Sequence, residues 1–391
     1  MSSAQSFQQA PHKLLVIPGP VECSDSILYA NASPSVSHVS PAFISVFGDC
    51  LRMLRKVLYA EKTGQPFMIA GSGTLGWDQT AANLVEPGEE CLVLNHGYFG
   101  DSFADCLETY GAKVTVLKAA IGGIVDEKEL TKALKEKKFK LVTITHVDTS
   151  TGVLAPAARY AELIHQASPD TLIALDAVCA AGSEEIRFDD WGIDVVVTAP
   201  QKGLGVPPGL SLVMASKKAL GVLNARKAPV SSYYVSWRRW LPIMEAYEAG
   251  QPKYFATPPV QLVTALNVGL KQILDDSPSL QDRFQIHKDV SKYVKDELEK
   301  MGCGFVPLSR DHSANGMTAA RYPQGIKAAD VLGPLAERDI VVAGGLHKDI
   351  ASEYFRVGHM GVTAVDKSRG DVDKILKNVK EVLDKARAKQ A

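Results

Sequence analysis

Up to about residue 259, short hydrophobic runs alternate with longer stretches in which apolar residues recur every three or four positions. The predicted strands are KLLVIPG (13–19), FMIAGSG (67–73), ECLVLN (90–95), KVTVL (113–117), KLVTITHV (140–147), TLIALDAV (171–178), DVVVTA (194–199) and the run 210–214. Helical stretches lie between several of them, for example TLGWDQTAANLV and FADCLETYG. Short apolar strands separated by amphipathic helices predict an α/β fold with a mostly parallel, seven-stranded-type sheet covered by helices.

The pattern changes beyond about residue 259. Two helical stretches, VQLVTALNVGLKQIL and HKDVSKYVKDELEKMG, precede the short apolar runs GMTAARY, IVVAGG and YFRVG, and the helical sequence DVDKILKNVKEVLDKARAK closes the chain. This mixture is typical of a small α+β domain. We therefore predict a large domain over residues 22–276 and a smaller C-terminal α+β domain over residues 277–391, preceded by an N-terminal arm over residues 1–21.

Composition narrows the class of partner. The 391 residues are 46% hydrophobic and 22% charged, and the formal net charge of -1 comes from 43 basic and 44 acidic side chains. Such a balance provides no overall field to attract nucleic acid or an acidic membrane. The sequence has no apolar run of 18 residues, so no transmembrane helix is indicated. We expect neither a nucleic acid nor a membrane as partner.

Cysteine usage and the chain ends bear on the compartment. The six cysteines form no CxxC pair, which favours reduced core thiols and gives no metal-ligand spacing. The N-terminus MSSAQSFQQAPHK lacks an apolar signal core, and the C-terminus AKQA is not a peroxisomal address of the SKL type. We expect a cytoplasmic protein without a metal. A mitochondrial location is the alternative, because the N-terminus is rich in Ser and Gln and has no acid.

Two charged residues end consecutive predicted strands. Asp176 lies near the end of TLIALDAV, and Lys202 follows DVVVTA in a loop stiffened by three prolines (Pro200, Pro207 and Pro208). Taken alone, Asp176 reads as a turn or cap acid and Lys202 as a surface lysine. Taken together, they lie where α/β folds bind ligands. A lysine that forms an imine, together with an acid that pairs with a pyridinium nitrogen, is the pattern of pyridoxal 5′-phosphate (PLP) chemistry.

A third element is a candidate phosphate site. The sequence AGSGT ends another predicted strand and places Ser72, Gly73 and Thr74 just before a helix. Backbone amides at a helix N-terminus, helped by hydroxyls, bind phosphate well. A Gly-Ser-Gly sequence is also common in linkers, so the motif gains its weight from its place in the same sheet.

Here the chain resembles the fold-type I, class V PLP-dependent aminotransferases, and among them the alanine–glyoxylate aminotransferase family. The matching stretches are IPGPV (17–21), HVSPAF (38–43), GSGT (71–74), THVDTSTGVL (145–154), LDAVCAAG (175–182), DDWGIDVVVTAPQKGLGVPPG (189–209), YFATPPV (254–260), VAGG (342–345) and FRVGHMG (355–361). They follow the family order across nearly the whole chain. The resemblance implies the fold-type I architecture, PLP as cofactor, and a homodimer with shared active sites and the N-terminal arm at its interface.

The resemblance also implies roles for particular residues. Lys202 is the lysine that forms the imine with PLP and Asp176 keeps the ring nitrogen protonated, so both are catalytic. The implied cofactor-binding residues are Ser72, Gly73, Thr74 and Gln201 at the phosphate, Phe99 and Val178 on the ring faces, Thr149 near the phenolic oxygen, and Tyr254 and Thr257 at the phosphate of the partner subunit. Arg356 binds the substrate carboxylate.

Some of these positions have plainer interpretations or depart from the family pattern. Position 74 is more often His, and position 99 is usually Trp. Phe99 and Val178 also read as core side chains, and Arg356 as a surface arginine. However, the apolar setting of YFRVG favours a partnered guanidinium for Arg356.

The expected reaction is a PLP-dependent transamination between small amino and oxo acids. The resemblance favours L-alanine plus glyoxylate giving pyruvate plus glycine, and the alternative is serine as donor to glyoxylate or pyruvate. A desulfurase-like lyase of the same class would need a mobile nucleophilic cysteine, for which Cys303 in KMGCGFV is the candidate. A non-catalytic protein on the same fold is a further alternative, against which the presence of Lys202, Asp176 and Arg356 argues.

Overall fold

The computed structural model describes residues 7–275 and 278–389. Its strands are β1 (Leu14–Leu15), β2 (Gln65–Ala70), β3 (Glu90–Asn95), β4 (Lys113–Lys118), β5 (Leu141–Thr145), β6 (Leu172–Asp176), β7 (Val195–Thr198), β8 (Leu210–Ala215), β9 (Gly304–Phe305), β10 (Met317–Arg321), β11 (Ile340–Val341), β12 (Ala343–Gly344) and β13 (Tyr354–Gly358). Its helices are α1 (Asp25–Asn31), α2 (Pro41–Val57), α3 (Thr74–Leu84), α4 (Tyr98–Thr109), α5 (Glu127–Glu136), α6 (Ala157–Ala167), α7 (Phe188–Trp191), α8 (Lys217–Ala225), α9 (Trp237–Glu248), α10 (Val260–Leu274), α11 (Leu280–Lys300), α12 (Ala328–Ala336), α13 (Val362–Val365) and α14 (Asp371–Ala388).

The centre of the fold is a seven-stranded sheet in the order β2-β8-β7-β6-β5-β3-β4. Only β8 runs against its neighbours β7 and β2, so the prediction of a mostly parallel sheet is confirmed. Strands β5, β6 and β7 are buried along their whole length, as expected for strands covered by helices on both faces. The register sets Asp176 of β6 opposite Thr145 of β5 and Val197 of β7, so the carboxyl ends of these strands form one edge.

Helix α3 packs unusually close to this sheet. A Cβ on Gly76 would collide with the side chain of Val197 in β7, so only glycine permits the observed approach. The close contact fixes the height of the helix above the strands. The first turn of α3 is thereby held at the edge of the sheet where β6 and β7 end.

A second layer is built from the C-terminal part of the chain. Strands β12, β13, β10 and β9 form an antiparallel four-stranded sheet in that order, and α11, α12 and α14 share a hydrophobic core with it. The opening run of the sequence does form a strand, β1, but it pairs in parallel with β11 rather than with the large sheet. Leu14 and Val16 are buried in the C-terminal core. The N-terminal arm therefore packs on the far end of its own chain.

The predicted domain boundary between residues 276 and 277 lies outside the described residues and stays a prediction. Around it, α10 ends at Leu274 and α11 begins at Leu280. Residues 1–6 of the predicted arm also lie outside the described part. No helix within residues 7–275 and 278–389 is long and apolar enough to cross a membrane.

Helix α11 connects the two layers through two buried polar side chains. Arg283 donates from Nε to the carbonyl of Gly182 (3.0 Å) and from Nη2 to the carbonyl of Gly203 (2.9 Å). One turn later, His287 contacts the carbonyl of Arg283 through Nδ1 (2.7 Å) and accepts the amide of Gly361 at Nε2 (3.2 Å). Because Nε2 accepts a hydrogen bond, the ring is neutral with its proton on Nδ1.

This arrangement predicts how the stability of the protein depends on pH. Burial, reinforced by the charge of Arg283, lowers the pKa of His287 from 6.5 to about 3. Below pH 6.5 the unfolded chain therefore binds a proton at this position that the folded chain does not bind. The stabilisation is complete above pH 6.5 and is progressively lost as the pH falls towards 3.

His287→Gln keeps an acceptor for Gly361 and removes the titration. We expect the free energy of unfolding of the parent, relative to this variant, to fall by about 1.4 kcal/mol per pH unit between pH 6 and 4. Urea unfolding followed by circular dichroism at several pH values measures this difference. Parallel stability curves for the two proteins would contradict the prediction.

Candidate active site

The edge where β6 and β7 end opens into a cavity of about 540 Å³, including its mouth. Its lining is Ser72, Gly73, Thr74, Trp77, Phe99, Val147, Thr149, Asp176, Val178, Cys179, Gln201 and Lys202. Nine of these residues are the cofactor-binding positions that the sequence analysis expected from the same chain, that is, all except Tyr254 and Thr257. Three further lining residues, Trp77, Val147 and Cys179, were not predicted from the sequence.

Lys202 lies in the loop after β7 and is held against the N-terminal arm. Its Nζ donates a hydrogen bond to the carbonyl of Pro18. Gly19 has φ of +92°, and a Cβ there would come within 2.7 Å of Lys202 Cε and Nζ. Burial is the main cause that lowers the pKa of the Lys202 ammonium. A neutral amine, which can act as nucleophile or base, is therefore more accessible here than at the surface.

Asp176 ends β6 and is buried, with 3% of its surface exposed. Its Oδ1 accepts the amide of Val178 (3.1 Å), and its Oδ2 accepts the indole N–H of Trp77 (3.0 Å). Burial raises the pKa of the carboxyl to about 6, against the lowering effect of these two hydrogen bonds. Among the described residues no cationic side chain forms an ion pair with Asp176. A buried carboxylate of this kind suits a cationic partner such as a protonated ring nitrogen.

The start of α3 provides a phosphate-sized set of donors. Ser72 and Thr74 are exposed to the cavity mouth, and within the described chain the amides of Gly73 and Thr74 have no acceptor. A Cβ on Gly73 would lie 2.7 Å from Val178 Cγ2, so glycine keeps the helix start open to the pocket. Gln201 also lines this end of the pocket, and its carboxamide NH2 group is a further donor that a phosphate oxygen could accept from. These groups fit a phosphate at a helix N-terminus.

Asp148, which was not predicted from the sequence, supports the walls of the pocket through its hydrogen bonds. Asp148 is fully buried; its Oδ2 accepts the amide of Phe99 (3.1 Å), and its Oδ1 accepts the amide (2.9 Å) and hydroxyl (2.6 Å) of Ser150. Burial raises the pKa of Asp148, and these hydrogen bonds oppose the rise. Asp148 thereby joins the Phe99 wall to the Thr149 wall. The signal in the sequence was an acid at a strand end followed two residues later by a hydroxyl, which is a turn pattern.

Arg356 reaches the same region from the C-terminal sheet. It lies on β13 and is half-buried; its Nε donates to the carbonyl of Gly344 (2.8 Å) and its Nη1 to the carbonyl of Thr149 (3.2 Å). Burial is the main cause that lowers its pKa. In the described part of the chain no carboxylate pairs with this guanidinium. Arg356 is therefore a partnered arginine, as its apolar setting indicated, but its partners are backbone carbonyls.

Tyr254 and Thr257 are not brought to the pocket of their own chain. Both are exposed, Tyr254 to 62%, and neither contributes to the lining. The ring of Tyr254 contacts the ring of His38, with 5.1 Å between the centroids. This placement leaves the two residues free to meet another molecule.

Cys303, the candidate nucleophile of a desulfurase-like lyase, is a core residue. It is 4% exposed and belongs to the C-terminal hydrophobic core, and burial raises the pKa of its thiol to about 12. It does not line the cavity. No group of three or more His, Cys, Asp or Glu within the described ranges could hold a metal ion.

A half-buried lysine, a buried acid at the end of the adjacent parallel strand, and a helix start with free donors together define a PLP site on a fold-type I architecture. The family model of class-V aminotransferases matches residues 25–361, and the chain belongs to this family. It is therefore an aminotransferase with PLP as its cofactor.

Individual relatives agree with this assignment. The chain is 43% identical over 365 residues to alanine–glyoxylate aminotransferase 1 of Saccharomyces cerevisiae, covering 90% of this chain and 93% of the relative. An L-aspartate–glyoxylate aminotransferase of Paracoccus denitrificans is 29% identical, with 89% and 86% of the two chains covered. Among solved structures, an alanine–glyoxylate aminotransferase from Nostoc sp. is similar with a TM-score of 0.88 and 29% identity, covering 98% and 99% of the chains.

The contact between Gly19 and Lys202 predicts the effect of one methyl group. Gly19→Ala combines an unfavourable positive φ with a clash against the lysine side chain. We expect stability to fall by about 1–2 kcal/mol and turnover to fall by about 100-fold, because the lysine is displaced. Borohydride reduction followed by peptide mapping measures how much PLP attaches to Lys202.

Gly221→Ala is the matched control, since the same substitution in α8 meets nothing within 4 Å. That variant should keep full attachment. Equal attachment in both variants would show that the approach of Gly19 to Lys202 has no consequence.

Proposed function

We propose that the protein transfers the amino group of L-alanine to glyoxylate, giving pyruvate and glycine. The observation that carries this proposal is Arg356, a half-buried guanidinium held by two backbone carbonyls with no carboxylate of the described chain beside it. Glyoxylate has no side chain, so a carboxylate is the main handle by which a site can bind it. The planar guanidinium suits a bidentate carboxylate. Two of the relatives are named for glyoxylate as substrate, which supports the acceptor.

Different residues of the pocket would bind different parts of the cofactor. When bound, PLP supplies an aldehyde carbon that takes the amino group and a ring that accepts the electron pair left at the substrate Cα. Asp176 would hold the proton on the ring nitrogen, and Phe99 and Val178 would flank the ring. Thr149 would serve the phenolic oxygen. Ser72, Gly73, Thr74 and Gln201 would hold the phosphate.

Lys202 moves the proton that the reaction displaces. Its Nζ would act as the base that takes the proton from the substrate Cα and as the acid that gives the proton back. The burial that lowers the pKa of this lysine favours the neutral amine that such a base requires. Arg356 meanwhile fixes the substrate carboxylate, so that the Cα–H bond faces Lys202.

Serine as donor, to glyoxylate or to pyruvate, is the second candidate. It uses the same carboxylate site and differs by one hydroxyl group. The intact set of Lys202, Asp176 and Arg356 disfavours a non-catalytic protein, and the buried Cys303 disfavours a lyase that depends on a mobile cysteine.

The half-reaction tests the proposal directly. Adding one amino acid at a time to the holoenzyme should shift the visible PLP band most efficiently with alanine. The shifted enzyme should regain its band when glyoxylate is added. Lys202→Ala should not complete this cycle, because it lacks the base that moves the proton. A protein that responds to serine or aspartate and not to alanine would overturn the choice of donor.

Arg356→Lys tests the shared carboxylate site. Lysine keeps the charge but loses the fork, so the apparent KM for alanine and for glyoxylate should rise together, by about tenfold or more. Steady-state kinetics with each substrate varied in turn measures both values. A rise for only one substrate would contradict a common site.

We further propose a homodimer in which Tyr254 and Thr257 bind the phosphate of the partner subunit, with the N-terminal arm at the interface. Both residues are exposed and absent from the pocket of their own chain. Among the described residues that line the pocket, hydroxyls and amides are available to a phosphate, and Lys202 is the one cationic side chain. We also propose a large domain over residues 22–276, a C-terminal domain over residues 277–391, and a cytoplasmic location for the protein.

Mixed dimers test the shared site. Lys202→Ala and Thr257→Glu should each be inactive, because one lacks the lysine and the other repels the phosphate. In a mixed dimer one site carries both lesions, and the other combines the intact Lys202 and Thr257 of different chains. Refolding the two variants together should therefore restore part of the activity. If mixed dimers are confirmed by mass and stay inactive, Thr257 does not serve the partner's site.

A further inference from the structure

One side chain in the pocket, Trp77, contacts several parts of the proposed cofactor site without having been assigned a role. It lies on α3 three residues after Thr74, so the two residues share a face of the helix. Trp77 is 5% exposed and lines the cavity. The close packing of α3 on β7, which Gly76 permits, fixes the position of Trp77 relative to the sheet.

The polar end of Trp77 is committed to Asp176. The indole Nε1–H donates to Oδ2 at 3.0 Å, while Oδ1 takes the amide of Val178 at 3.1 Å. Each carboxylate oxygen thus has one donor from the protein and keeps further acceptor capacity. Because a carboxylate can rotate about its Cβ–Cγ bond, two donors on different elements fix the plane of the group.

The apolar body of Trp77 supports the ring wall. It stacks on Phe103, with 5.3 Å between the centroids and 16° between the planes. It meets Phe99 edge-on at 6.3 Å and 65°. Phe99 is the residue proposed to lie on the cofactor ring. One indole therefore contacts both Asp176 and the aromatic side chain of Phe99.

We infer that Trp77 is a positioning residue for the reaction: its indole N–H sets the orientation of the Asp176 carboxylate towards the cofactor ring nitrogen. This inference rests on the role proposed for Asp176. It does not depend on which amino acid is the donor. Trp77 acts through Asp176 and takes no part in moving the proton itself.

The chain contains a matched control for this residue. Trp237 is also buried, donates its indole N–H to a side-chain oxygen, that of Gln79 at 3.1 Å, and stacks on Phe67 with 5.0 Å and 13°. It does not line the cavity. Tryptophan to phenylalanine at either position removes one buried hydrogen bond and part of one stack, so the loss of stability should be similar. Only the change at Trp77 also releases Asp176.

The first measurement is made on the full-length protein without cofactor. The sequence has four tryptophans, so labelling with ¹⁵N-tryptophan gives few indole signals to separate. We expect one of them to move with pH around a midpoint near 6, because burial raises the pKa of Asp176 to about 6. Two charged groups also act on this pKa: the charge of Asp148 raises it and the charge of Lys202 lowers it. The movement should vanish in Asp176→Asn, and the signal should be absent from Trp77→Phe.

This readout keeps the inference testable even if Trp77→Phe fails to fold, since the parent and Asp176→Asn suffice. It uses no substrate, so a protein that fails to transaminate alanine could still show the titration. No indole signal that titrates with Asp176 would overturn the inference while leaving the proposed reaction intact.

The second measurement is kinetic. Trp77→Phe should lower kcat about tenfold, since a hydrogen bond to a charged group typically contributes at least that factor. The apparent KM for alanine should stay unchanged because Arg356 is untouched. Trp237→Phe should keep the parent kcat. If the two variants lose kcat equally, or if Trp77→Phe changes only KM, then Trp77 merely supports the fold.

Discussion

The active site depends on one buried negative charge. Asp176 is almost completely removed from water at the end of a central strand, where an uncompensated carboxylate is costly. The protein gives it one amide and one indole N–H and, within the described residues, no cation. In the proposed site a protonated pyridine would supply the positive partner. The same carboxylate would then both bind the cofactor and keep its ring in the electron-accepting form.

The rest of the architecture brings other groups to that carboxylate. Parallel pairing of β6 and β7 sets the ends of adjacent strands side by side, so the loop carrying Lys202 begins beside Asp176. The C-terminal sheet carries Arg356 on β13, and its Nη1 donates to the carbonyl of Thr149 in the pocket wall. Helix α11 connects the Lys202 loop to the C-terminal sheet. Its Arg283 donates to the carbonyl of Gly203, next to Lys202, and its His287 accepts the amide of Gly361, which follows β13. Lysine and arginine are thereby fixed in one frame.

The sequence predicted the local elements well because each is encoded in consecutive residues. The apolar runs that became β3, β5, β6 and β7 carry their own burial pattern, and the motif around Lys202 marks its loop. Contacts between distant elements were beyond such reasoning. Trp77 and Asp176 are 99 positions apart, and nothing in TLGWDQ shows which acid the indole meets. Asp148 was hidden inside a recognised motif, and the pairing of β1 with β11 joins segments from opposite ends of the chain. The contact proposed for Tyr254 and Thr257 involves a second chain, which no pattern within one sequence describes.

That last pairing has a consequence for how the protein is made. Pro18 accepts the hydrogen bond from Lys202, and it follows directly on the segment that β11 and the C-terminal core hold in place. On a translating ribosome the large sheet can form early, since domains generally fold as the chain emerges. The contact between Pro18 and Lys202 can be fixed in place only after residues 340–341 have been synthesised, because these residues pair with β1. A nascent or prematurely terminated chain can thus build the sheet that carries the Lys202 loop, but it cannot hold Pro18 in place beside the lysine. The surroundings of Lys202 are therefore complete only after β11 has been added to the chain.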